Sequence, residues 1–214
     1  MKLKGHNNEV LKLLNKLEEI QEELIELTKE MILACSNAMY PVDLFTIGAI
    51  KRTVSTISGF RVLVESFNMI CARVLLRTQV DTVLRFYSLF LVENPHDFAM
   101  KVISGNRIDK LRDKNGQRMT DYYLRSKLVS KYPWIDEVYK RLSDYVHYSG
   151  QHFFCSINKY NHESKTIKWS IEERDLDFPE FSWKELLLCF IESVSIFMEY
   201  LKVWIFTKDH QKIY

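Results

Sequence analysis

Glycine and proline are scarce in this chain. Its 214 residues hold six of the first and four of the second. Sandwiches and barrels need frequent turns, so the shortage points away from them and toward long helices. Cysteine is sparse and scattered, at Cys35, Cys71, Cys155 and Cys189, with no C-x-x-C pair. That spacing argues against a zinc ribbon or a disulfide framework and suits a reducing compartment. Cys71 and Cys189 fall in apolar runs, where a free thiol serves as a small hydrophobe. No uncharged apolar run is long enough for a bilayer: the most apolar late segment, 183–206, carries Glu185, Glu192, Glu199 and Lys202. The opening residues, Met-Lys-Leu-Lys-Gly-His, lead into a charged amphipathic run instead of the apolar core of a signal peptide. A cytoplasmic protein with no membrane partner is therefore expected. Also absent are a P-loop, a Rossmann glycine pattern, H-E-x-x-H, an EF-hand loop and a G-x-S-x-G elbow. No cofactor is expected.

What is present is enough for a sizeable core: 47% of the residues are hydrophobic. The expected architecture is mainly α, a single domain over 1–214. It is a bundle of long antiparallel helices with a small β-hairpin near 153–171. Residues 8–36 form the first helix. Leu13, Leu17, Ile20, Leu24, Leu27 and Met31 repeat at 4-3-4-3-4 along it. Such a stripe serves either as the core face of a bundle helix or as a seam for another chain. The bundle core is expected over 44–148, with Asp43 capping a helix over 44–65 and Ser66-Phe67-Asn68 forming either a turn or part of a continuous helix. A helix then runs over 69–93, a short one over 97–104, and others over 121–131 and 134–148. Gly59 marks a close approach of a second helix. Phe153–Lys159 and Thr166–Ile171 are rich in β-formers and give the hairpin. Ser182 and Glu185 form a capping box for a last helix over 183–207, with a fraying tail after Lys208.

Net charge is +2, too small to select a partner, but its distribution is uneven. Residues 101–141 carry eleven Lys and Arg against five Asp and Glu; residues 1–40 carry five against seven. A basic block of that kind suits a polyanion or a plain solvated surface. Within the apolar helix 69–93, Arg73, Arg77, Asp81 and Arg85 recur every fourth residue. Charges in such a setting must pair or line a wet cavity. They form either an ion network bracing the bundle or a polar pocket facing the helix that carries Arg141.

That later helix ends in Arg141-Leu-Ser-Asp-Tyr-Val-His147-Tyr-Ser-Gly-Gln-His152. Helical spacing puts Ser143 and His147 on one face, with Arg141 a turn before. Histidine exchanges protons near neutral pH, and arginine can steady a phosphate. His147, His152 and Asp144 do not have the spacing of a known metal site, so no metal is assigned.

Arg141, five residues and His147, late in a helical chain, resemble the Arg-x4–6-His signature of HEPN domains. The resemblance implies a metal-independent endoribonuclease that works as a homodimer or with a partner protein of a toxin–antitoxin or defence system. A broader likeness, to an uncharacterised bacterial helical family, covers roughly 40–160. It rests on Gly59-Phe60, Leu76-Arg77…Asp81…Arg85-Phe-Tyr87, Asp113-Lys-Asn-Gly116, Thr120-Asp121, Tyr139 and Leu142-Ser143-Asp-Tyr-Val-His147. On these likenesses His147 is the acid or base for 2′-OH attack, and Arg141 or Arg77 steadies the phosphate. Asp81 or Asp144 orients its cationic neighbour, and Ser143 completes the set. Lys127, Lys131, Lys140 and His152 are the expected RNA contacts. The alternative is a non-catalytic interaction or sensor module of such a system.

Overall fold

The computed structural model describes residues 5–210, without the side chains of Asn158 and Lys159. The fold is mainly α: among the described residues there are eight α-helices and one antiparallel hairpin. No described helix is long and apolar enough to cross a membrane.

Helix α1 spans Asn8–Leu33 and is capped by the Asn7 side chain, which accepts from the Val10 N–H. Its stripe runs through Val10, Leu14, Leu17, Ile20, Leu24, Leu27 and Met31. The expected heptad holds except at its start, where Leu14 is buried and Leu13 only half so. This stripe packs against α8 (Glu180–His210) and α2 (Pro41–Glu65) of the same chain, so it is a core face.

Helix α2 begins earlier than expected because Pro41 occupies its first turn, where a missing N–H costs nothing. Asp43 is thus three residues inside the cap, with its carboxylate accepting the Tyr40 N–H at 2.8 Å. The same carboxylate accepts the Trp204 indole N–H at 2.8 Å and pairs with Lys208 at 3.1 Å. Lys208 also donates to the Met31 carbonyl at 2.7 Å, so one fully buried knot ties α1, α2 and α8. Gly59 meets α3 (Met69–Tyr87) closely: a Cβ there would lie 3.2 Å from Leu75 Cδ1.

The break at Ser66–Asn68 is real, with Phe67 at φ +61°. Asn68 then caps α3, helped by Asp175, which accepts the Met69 N–H at 2.8 Å from far along the chain. Helix α3 ends at Tyr87 and gives way to a 3-10 turn, shorter than the expected 69–93. Helix α4 is Pro95–Ile103 and α5 is Asp121–Leu128, the latter capped by the Thr120 side chain. Helix α6 is Trp134–Val146. It runs antiparallel to α3, since Arg73 meets Tyr145 and Arg77 meets Tyr139.

Gly150 opens a short helix, α7 (Gly150–Cys155). The expected strand from Phe153 therefore starts late. Strands β1 (Ile157–Asn161) and β2 (Thr166–Trp169) form the hairpin. It rests on α7, with Phe153 edge-on to Trp169 at 5.3 Å, and β2 is exposed throughout. The last helix starts at Glu180, directly after Pro179, so Ser182 lies inside it and is not its cap. It stays helical through His210; the rest of the expected fraying tail, 211–214, lies outside the described residues.

Candidate functional site

The polar stripe of α3 is divided between neighbours by its four-residue spacing. Arg73 donates to the Tyr145 hydroxyl and lies 4.4 Å over that ring. One turn on, the Arg77 guanidinium sits 3.5 Å over the Tyr139 ring and 3.7 Å from Asp121. Another turn on, Asp81 takes Arg85 at 3.3 Å on its own helix and Arg52 of α2 at 3.5 Å. Arg85 also reaches Asp121. Both alternatives open in the sequence are thus partly realised. Asp81 and Arg85 form an ion network, yet Arg77 joins it through Asp121 of α5 and not through Asp81. Tyr139 donates its hydroxyl to Asp121. Burial first, and then that carboxylate, push the Tyr139 phenol up to about 12.

Outside this network a groove of about 740 Å³ opens. Arg52, Arg85, Arg107 and Arg125 line it, with Asp81, Asp109 and Asp121 between them. Arg125 is buried against Tyr139 at 4.3 Å and pairs with Asp136. Lys140 also holds Asp136, and its hydrogen bond leads in keeping that carboxyl below the usual range.

A second groove, about 570 Å³, lies between α3, α6 and α8. Its floor includes Leu76, Leu142 and Leu186; its rim includes Arg73, Arg141 and Asp144. Arg141 is 70% exposed, and among the described residues its ion pair is with the exposed Glu137 one turn back, at 2.8 Å. The chain leaves helical geometry at His147, which is extended at φ −103°, ψ 140° and exposed. Its N–H still donates to the Ser143 carbonyl at 3.1 Å, but the two side chains no longer share a helix face. The reason lies downstream. Ser149 donates to the Asp144 carbonyl at 2.7 Å and caps α7, and His152 accepts the Ser149 N–H at 3.3 Å. Closing that cap bends the chain out of α6. Ser143 itself donates back to the Tyr139 carbonyl at 2.9 Å.

The expected site residues therefore separate into four places. Asp81 lines the first groove, and Arg77 packs inside the α3–α5–α6 contact. Arg141 and Asp144 line the second groove, and His147 lies past the end of α6. Of the expected RNA contacts, Lys131 is held by Glu199, and Lys140 by Asp136 at 2.6 Å. His152 is committed to the α7 cap and stacks on Tyr148. Lys127 is exposed, its ammonium 5.1 Å from the Tyr123 ring. Three groups that no role was assigned to in the sequence, Asp121, Arg125 and Tyr139, form the centre of the polar network. Asp121 and Tyr139 stand inside the motif segments, but only the fold shows that they meet. Among the described residues there is no group of three or more His, Cys, Asp or Glu that could hold a metal, and all four cysteines are free. No family model, curated protein or solved structure matches the chain at a significant level.

Proposed function

We propose that this chain is a metal-independent endoribonuclease of the HEPN-like kind, acting in a toxin or anti-phage setting. One observation carries the reading. Arg141, on the rim of the second groove with Arg73 and Asp144, and His147, just past the end of α6, are six residues apart in sequence and both open to solvent. In the proposed reaction His147 removes the proton of a ribose 2′-OH. The oxygen attacks the adjacent phosphorus, the bond to the 5′-oxygen breaks, and that oxygen takes a proton from the imidazolium. The products are a 2′,3′-cyclic phosphate and a 5′-hydroxyl. Arg141 steadies the charge on the pentacoordinate phosphorus. Its exposed pair with Glu137 is weak enough to exchange for a phosphate. Arg77 is the less suited arginine, because Tyr139 and Asp121 already hold it. A second copy of the chain would cover the apolar surface next to His147, where Tyr148 is 93% exposed.

The test is a gel assay with tRNA and with structured single-stranded RNA, in EDTA. Wild type is expected to cut, and Arg141→Ala to cut far more slowly. Cleavage that needs a divalent metal, or that Arg141→Ala leaves intact, removes the reading. One observation favours a second reading, a non-catalytic docking module: Phe153, Phe154, Trp169 and Ile171 cluster in sequence around the hairpin, all exposed. On that reading wild type cuts nothing, and Phe154→Ser abolishes self-association or partner capture.

A further inference from the structure

The first groove gathers guanidinium groups from four separate parts of the chain. Arg52 comes from α2, Arg85 from α3, Arg107 from the segment after α4, and Arg125 from α5. Planar forks of this kind match phosphate oxygens two at a time. All four are held by carboxylates: Arg52 by Asp81, Arg85 by Asp81 and Asp121, Arg125 by Asp136, and Arg107 by Asp109. Arg52 has donor capacity left over, since it holds Asp81 through one long contact of 3.5 Å. On the same groove stands Tyr122, 74% exposed, with the Arg125 guanidinium 6.0 Å from its ring. An exposed ring on the wall of an arginine-lined groove suits stacking of a planar base.

We infer that this groove binds a phosphorylated ribonucleoside, its phosphates on Arg52, Arg85 and Arg107 and its base on Tyr122. The site is separate from Arg141 and His147, and it stands or falls independently of RNA cleavage. The same chemistry comes from a free nucleotide or from the 5′-phosphate of an RNA end. Asp109 is the built-in competitor, since it holds Arg107 through two bonds at 2.9 and 3.0 Å. It keeps affinity moderate and makes binding sensitive to salt.

Calorimetric titration in EDTA tests this with three probes: inorganic pyrophosphate, ADP and a 5′-phosphorylated RNA tetranucleotide. ADP is expected to saturate and to bind more tightly than pyrophosphate. Tyr122→Ala should erase that difference without weakening pyrophosphate. Arg52 and Arg107 both carry exposed side chains, so Arg52→Gln/Arg107→Gln should keep the fold, checked by thermal melt. That double variant should weaken ADP about tenfold or more, as expected for lost charge-assisted bonds. Asp109→Asn should tighten it severalfold. A tetranucleotide that binds more tightly than ADP, and that the double variant weakens equally, identifies an RNA end as the ligand; the reverse order identifies a free nucleotide. Two results overturn the inference: no saturation by ADP or the tetranucleotide at millimolar concentration, or binding that Arg52→Gln/Arg107→Gln leaves unchanged.

Discussion

Arg77 and Arg141 project from two helices that pack on each other, and the bundle treats them differently. Arg77 has a ring under it at 3.5 Å and Asp121 beside it. Arg141 pairs with Glu137 of its own helix, in water. The first is part of how α3, α5 and α6 hold together. The second contributes little to the fold. A charge that has lost most of its water needs fixed partners, and those partners restrict what else it can do. A charge left in water keeps its freedom to meet a ligand. The comparison separates Arg77, which is part of the architecture, from Arg141, which stays in water on the rim of the second groove.

The comparison can be broken in order of expected effect. The largest effect belongs to the fully buried Asp43–Lys208 pair, which sets the scale for committed charges. Asp43→Ala strands an ammonium and the Trp204 N–H, and should cost about 3–5 kcal/mol in a urea melt. Arg77→Ala should cost about 1–3 kcal/mol, by uncovering Tyr139 and leaving Asp121 with fewer donors. A pH effect comes next. Tyr139 and Tyr123 hold their protons up to about 12, both chiefly through burial, followed by the Asp121 and Asp113 carboxylates. Their ordinary value is 10.0. Above it the unfolded chain sheds these protons while the folded chain keeps them. The stabilisation is therefore complete below pH 10 and is lost as pH rises through about 12. Tyr139→Phe should flatten that alkaline decline in a series of thermal melts. The smallest effect is expected for Arg141→Ala, within about 0.5 kcal/mol of wild type. A loss as large as that of Arg77→Ala would erase the distinction between the two arginines.

The α1 stripe, the break at Ser66–Asn68 and the Gly59 contact were legible in local patterns, as were seven of the eight α-helices, α7 being missed. The late boundaries were not. Phe153-Phe-Cys has strand-like composition, but Ser149 and His152 close a cap that turns it into a helix. Ser182 looks like a cap, but Pro179 starts the helix earlier. Spacing identified the Arg73–Arg77–Asp81–Arg85 stripe and could not identify its partners. Asp121 is distant in sequence from the α3 groups it binds, and Tyr139 comes from a third helix. The placing of Ser143 and His147 on one helix face assumed a helix that continues through residue 147, and it ends at Val146.

The most direct measurement takes His147→Ala and Arg77→Ala side by side, reading melting temperature and RNA cleavage in EDTA on the same preparations. The account expects His147→Ala to melt with wild type and to lose cleavage. It expects Arg77→Ala to melt earlier and, at temperatures where it remains folded, to keep cutting. A His147→Ala variant that cuts as wild type does, or that melts as early as Arg77→Ala, would contradict the assignment of chemistry to the end of α6.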